Sequence, residues 1–228
     1  MPGPPPPFFF FAWDTFYTCA VLLFCFLIYF RTRELYELTR HSGIGHFRNA
    51  FLFFGLSYLS IFLFTAFEFS FVSERFFFRS HLLPLLFILP MGYFGTIAVF
   101  YLVIGSLRKK SEKGRTRGAT VILILAHVCA VALSVIAFLV HTPFFLAYIQ
   151  AALLISALVL LPRPAIAKAG KVGKMRVVYE LVLVFWIVNI LLTSPSLRIH
   201  FLIRPVVQAL SLLLFIYIYS RLPGMNKG

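Results

Sequence analysis

Read for its greasy and polar positions, the chain alternates long apolar runs with short cationic breaks. The runs cover residues 8–30, 49–72, 82–106, 119–140, 144–161, 177–193 and 201–220. Several are about 20 residues long, which at 1.5 Å per residue is the thickness of a bilayer core. None shows a period of two, and an open sheet edge cannot sit in lipid, so each run predicts a helix. Two breaks are short: His141-Thr142-Pro143 and Ser194-Pro195-Ser196. In each, proline supplies the stop, because it lacks an amide hydrogen and disfavours helix in the residue before it. The expected fold is an all-α integral membrane protein, a bundle of seven transmembrane helices over 8–220. A Pro-rich external tail (1–7) precedes it and a short cytoplasmic tail (221–228) follows.

Composition agrees. Hydrophobic residues make up 61% of the 228 and charged residues only 12%, against about 25% charged in a soluble domain. The start of the chain lacks the positive charge of a signal peptide, so the first run is expected to stay in the mature protein.

The net charge of +14 would point to nucleic acid in a soluble protein. Here the cations lie between apolar runs, which makes them topogenic charge facing anionic lipid headgroups. All but four of the 21 Lys and Arg fall after the first, third, fifth and seventh runs. The exceptions are Arg75, Arg79, Arg198 and Arg204. The positive-inside rule then puts the N-terminus outside and the C-terminus in the cytoplasm of a multi-pass cell-membrane protein. No nucleic acid is expected as a partner; the bilayer is, together with a membrane or cytoplasmic protein.

Short matches suggest an internal repeat. Ile44-Gly45-His46-Phe47-Arg48 before the second run parallels Val172-Gly173-Lys174-Met175-Arg176 before the sixth. Arg79-Ser80-His81-Leu82-Leu83 parallels Arg198-Ile199-His200-Phe201-Leu202. Both map runs one to three onto five to seven, a parallel 3+1+3 arrangement of the kind found in transporters.

Polar side chains inside lipid are costly and mark packed interiors or water-filled sites. In the seventh run His200, Arg204, Gln208 and Ser211 are four, four and three apart, one stripe of a helix. Glu68, at the end of the second run, is the expected counter-ion of Arg204, and Thr65 lies one turn below. Asn189 and Thr193 end the sixth run, Asp14 opens the first, and His81 and His141 stand at the outer ends of the third and fourth. The expected site is an outward-facing cavity ringed by helices one, two, three, six and seven. Its ligand-binding residues are Arg204, His200, Gln208, Glu68, Asn189, His81 and His141.

The chemistry excluded is as informative. Cys19, Cys25 and Cys129 fall inside apolar runs and match no disulfide or metal framework. The histidines come from separate loops without helical ligand spacing, so neither zinc nor haem is expected, even with His46 and His127 near the inner side. There is no Gly-x-Ser-x-Gly, no carboxylate pair at mid-depth and no phosphate loop, so no enzyme is expected. The seventh run has no Lys to carry retinal. Pro84, Pro90, Gly92 and Gly95 predict a kinked third helix. Ala126, Ala130 and Ser134 predict close packing of the fourth.

The stretch Arg33-Glu34-Leu35-Tyr36 through Arg40, followed by Phe47-Arg48-Asn49-Ala50-Phe51-Leu52-Phe53-Phe54-Gly55-Leu56, resembles the first-to-second-span junction of multi-span sensor modules. Such modules precede the output domains of microbial histidine kinases and diguanylate cyclases. No such domain follows Arg221, so the resemblance implies a ligand-sensing or partner-binding module whose output lies on another protein. The expected function is thus a stand-alone membrane sensor for a small polar or anionic ligand. The rivals are a small-solute transporter of two three-helix repeats and an accessory subunit of a larger membrane complex.

Overall fold

A computed structural model describes residues 7–40, 42–71, 82–107, 116–140, 143–160, 180–189 and 203–222. Among them are seven helical segments and no strand. These are α1 (Pro7–Thr39), α2 (Ser42–Phe71), α3 (Leu82–Leu107), α4 (Thr116–Leu139), α5 (Pro143–Leu160), α6 (Glu180–Asn189) and α7 (Ile203–Arg221). Four are long and apolar enough to cross a membrane, over Phe11–Leu38, Ser42–Phe67, Phe87–Gly105 and Thr120–Leu139. The described apolar parts of α5, α6 and α7 are shorter.

Helix ends follow backbone chemistry more than hydropathy. α1 runs well past its apolar stretch because Arg33 to Leu38 are mostly good helix formers, with an Arg33–Glu37 pair at 2.9 Å one turn apart. It stops at Arg40, whose φ of 50° is left-handed and whose amide closes onto the Tyr36 carbonyl at 2.7 Å. Pro143 opens α5, where its missing amide costs nothing. Pro90 sits inside α3, which continues through it.

Side-chain contacts set the helix directions. Tyr17 of α1 meets Tyr58 of α2 while Tyr29 and Tyr36 meet Arg48, so α1 and α2 are antiparallel. Phe64–Phe87 and His46–Tyr101 make α3 antiparallel to α2. A Cβ on Gly92 would touch Ser134, whereas Tyr101 meets His127, so α4 reverses again. Leu146 lies at Gly92 and Gln150 at Thr96, which makes α5 parallel to α3. In α6, Trp186 packs on Phe51 and Phe54 and Asn189 reaches Tyr58, so it runs with α2. α7 runs with α1: Gln208 meets Trp13 at one end and Leu222 meets Arg31 at the other. Successive helices therefore alternate in direction.

The core is aromatic and lies where α6 wedges among α1, α2 and α7. Phe54–Trp186 and Phe185–Phe215 have ring centroids 4.2 Å apart, slightly closer than the roughly 4.5–7 Å usual for aromatic pairs. α1 buries Tyr17, Val21, Cys25, Ile28 and Thr32; α7 buries Gln208, Ser211, Phe215 and Ile218, and Leu222 just past its end is buried too. Spacings of three and four place each set on one helix face. α4 buries only small residues, Ala126, Ala130, Ser134 and Ala137, as its sequence predicts. Its opposite face exposes Val121, Ile122, Leu125, Val128, Val131 and Leu139. A bare aliphatic surface of this kind is a liability in water and the normal coat of a helix in lipid. The chain is a helical membrane protein.

Candidate functional site

The polar side chains of α1 and α7 face each other near the first turns of both helices. On α1, Trp13, Asp14 and Tyr17 recur at one and four residues; on α7, Arg204, Gln208 and Ser211 recur at four and seven. Parallel helices carrying such stripes pair rung by rung. Arg204 Nη2 lies 3.1 Å from Asp14 Oδ2. Gln208 Nε2 donates to Asp14 Oδ1 at 3.0 Å, and Trp13 Nε1 donates to Gln208 Oε1 at 2.7 Å. Each Asp14 oxygen thus has its own partner, and Gln208 is held from both sides.

This rim is open to its surroundings. The Arg204 side chain is 49% exposed and that of Asp14 35%. An ion pair so exposed contributes about 0–1 kcal/mol, because solvent screens it and both side chains give up freedom to form it. Its partners are replaceable at small cost, which a binding site for a competing charge requires.

One turn deeper the arrangement changes. Asn189 of α6 accepts at Oδ1 from the hydroxyls of Tyr17 and of Tyr58, the latter at 2.9 Å. Its amide nitrogen donates to the Phe185 carbonyl at 3.0 Å and to Ser211 Oγ at 3.1 Å. Ser211 and Tyr17 hydroxyls are 2.9 Å apart. Since the Tyr17 proton goes to Asn189, Ser211 is the donor in that pair. Every polar hydrogen of Tyr17, Tyr58, Asn189 and Ser211 then has an acceptor, and all four residues are buried. Such a closed network pins α1, α2, α6 and α7 together and has no hydrogen left for a ligand.

The structure joins Arg204, Gln208 and Asn189 of the predicted set, the first two at the rim and the third in the network beneath. The described counter-ion of Arg204 is Asp14. Glu68 lies in the last turn of α2, with its side chain outside the described residues, as are His81, His141 and His200 altogether. Sequence reasoning missed Tyr17 and Tyr58. The available signal was Tyr17 three residues after Asp14, the same spacing as from Gln208 to Ser211 on α7.

His127 is no isolated imidazole: its Nδ1 lies 2.9 Å from the Tyr93 hydroxyl, and the rings of Phe53 and Tyr101 flank it. Among the described residues no group of three or more His, Cys, Asp or Glu is placed to hold a metal.

At the opposite end of α1, Arg31 Nη2 donates to the Leu222 carbonyl at 2.8 Å, and its guanidinium lies 4.5 Å from the Tyr219 ring centroid. The guanidinium of Arg48 lies over Tyr29 and Tyr36 at 5.6 and 4.9 Å. Aromatic faces thus hold the arginines beside the apolar bundle, with no carboxylate beside them among the described residues.

No protein-family model matches the chain, and no solved structure matches it. It is similar to an uncharacterized protein of Archaeoglobus fulgidus, 29% identical over 201 residues that cover 86% of each chain.

Proposed function

We propose that the protein is a multi-pass cell-membrane sensing module that binds a small anionic ligand at the Asp14–Arg204 rim. In this reading all seven helices cross the bilayer, with the N-terminus outside and the cationic breaks on the cytoplasmic side. The alternating helix directions support it, as does the concentration of Lys and Arg after odd-numbered runs. The rim then faces outward. The carrying observation is the chain Arg204–Asp14–Gln208–Trp13: a half-exposed, weakly held guanidinium mounted on a closed, rigid network.

An incoming carboxylate or phosphate competes with Asp14 for Arg204, whose planar fork suits either anion. Release of Asp14 alters its bond to Gln208, and Gln208 holds the Trp13 indole. Tyr17 and Ser211 lie on the same two helix faces, so the change meets the network that includes α6. The output is a partner protein or lipid at the basic segment preceding α6, which carries Arg163, Lys168, Lys171, Lys174 and Arg176.

Indole emission reports the first step directly. Titration of the protein in nanodiscs with succinate or inorganic phosphate is expected to change tryptophan emission saturably. Trp13→Phe removes the response, and Arg204→Gln weakens binding about tenfold or more, the scale of a lost charge-assisted bond. Wild-type emission indifferent to both anions overturns the reading.

A further inference from the structure

At the end of the bundle away from the rim, Arg48 is a charge with no counter-charge among the described residues. It comes early in α2, and its guanidinium carbon lies 5.6 Å from the Tyr29 ring centroid and 4.9 Å from that of Tyr36. The two tyrosines are seven residues apart on α1 and so share a face. Gly45, three residues before Arg48, lets Tyr36 lie close against α2: a Cβ there would stand 2.9 Å from Tyr36 Cε2. The polar contact of Arg48 is neutral and long, with Nε and Nη2 each 3.4 Å from Asn49 Oδ1. The described ion pairs take their carboxylates elsewhere, Glu37 to Arg33 and Asp14 to Arg204.

Stacking on aromatic faces attracts a guanidinium but does not neutralise it. A planar fork held by its faces keeps N–H edges for an acceptor. The hydroxyls of Tyr29 and Tyr36 also make no hydrogen bond to a described residue, and each can donate. Arg48, Tyr29 and Tyr36 are all half-buried. These donors therefore lie on the outside of the bundle, where a ligand needs no internal cavity. His46 against Tyr101 and Arg31 against Tyr219 stand at the same end. Tyrosines gathered with cations at one end of an apolar bundle mark the level of the headgroups.

We infer that Arg48, Tyr29 and Tyr36 form a site on the α1–α2 hairpin for the phosphate of an anionic phospholipid. A guanidinium and two phenols supply only donors, which phosphate oxygens complement. A headgroup with its own ammonium fits less well, because the rings that would receive that cation already hold Arg48. Unlike the basic breaks, which attract lipid diffusely, this cation is fixed by two rings. The site rests neither on the rim nor on the sensing reading.

The full chain, immobilised in detergent micelles, is offered phosphatidylglycerol or phosphatidylcholine, and bound lipid is quantified by mass spectrometry. Phosphatidylglycerol is expected to be held about tenfold more tightly, the scale of a charge-assisted bond. Arg48→Gln removes that preference. Arg33→Gln, the same loss of charge at the exposed pair with Glu37, keeps it. Tyr29→Phe combined with Tyr36→Phe leaves both rings on Arg48 and weakens phosphatidylglycerol several-fold; this double variant decides if Arg48→Gln does not fold. The inference fails if phosphatidylcholine is held as tightly, or if the double variant binds like wild type. It fails equally if Arg33→Gln weakens binding as much as Arg48→Gln, since the attraction is then diffuse. Displacement of the lipid by inorganic phosphate would assign the site to the free anion and overturn the lipid.

Discussion

Asn189 shows why the residue scale matters in a chain this apolar. Its carboxamide takes two phenol protons and gives its own two hydrogens to a carbonyl and a serine. Replacement by Leu keeps the volume but orphans the hydroxyls of Tyr17 and Tyr58 and removes an acceptor from each. We expect Asn189→Leu to cost about 2–4 kcal/mol in reversible SDS unfolding. Tyr58→Phe, which deletes one donor and its bond together, is expected to cost about 1 kcal/mol, near the scale of single hydrogen bonds in helical membrane proteins. An Asn189→Leu protein as stable as wild type would remove the network from the account of how four helices are held. The stripe of Arg204, Gln208 and Ser211 was legible in the sequence because a 3.6-residue period is a local property. The pairing of Arg204 with Asp14 was not. Asp14 and Glu68 both stand near helix ends, and choosing between them requires knowing that α1 and α7 are neighbours across some 190 residues of chain.

At the scale of elements, α1 and α7 are fastened at both ends by polar contacts, with an aromatic stack between, Phe24 on Phe215 at 5.7 Å. The Arg31 contact is the one a single change can isolate. Arg31→Leu loses the bond to the Leu222 carbonyl and the stack on Tyr219, at an expected cost of about 1–2 kcal/mol. Arg33→Leu touches only an exposed pair with Glu37, which solvent screens, and should leave the stability at the wild-type value. Equal stability of the two variants in SDS unfolding would show that the Arg31 contact holds nothing. The two faces of α4 make a second contrast. Ala130 is fully buried, whereas Val128 is 62% exposed. Ala130→Leu overpacks the helix and should cost about 1–3 kcal/mol; Val128→Leu, on the aliphatic outer face, should be near neutral. Helix existence was legible throughout from hydropathy, and so was the small-residue face of α4. The end of α1 was not, since Arg33 to Leu38 stay helical through propensity and an i,i+4 pair after the apolar signal has ended.

At the scale of the whole molecule, the alternating directions of α1 to α7 and the clustering of cations are independent observations with one joint consequence. The chain leaves α3 at the end where His46, Arg48 and Arg31 lie, because Tyr101 meets His46 there. It enters α7 at the opposite end, where Arg204 meets Asp14. Lys110, just after α3, and Arg198, shortly before α7, are therefore expected on different sides of the bilayer. Single cysteines at these positions test it, in a background where Cys19, Cys25 and Cys129 are replaced by Ala. A membrane-impermeant maleimide applied to intact cells should label Arg198→Cys, and should label Lys110→Cys only after the membrane is opened. The charge rule predicts which of the two is outside, whereas the helix directions predict only that they differ. Inverted labelling would therefore overturn the orientation and leave the bundle standing. Labelling of both positions on intact cells would overturn the alternation itself, and with it the proposed outward placement of the Asp14–Arg204 rim on which the sensing reading rests.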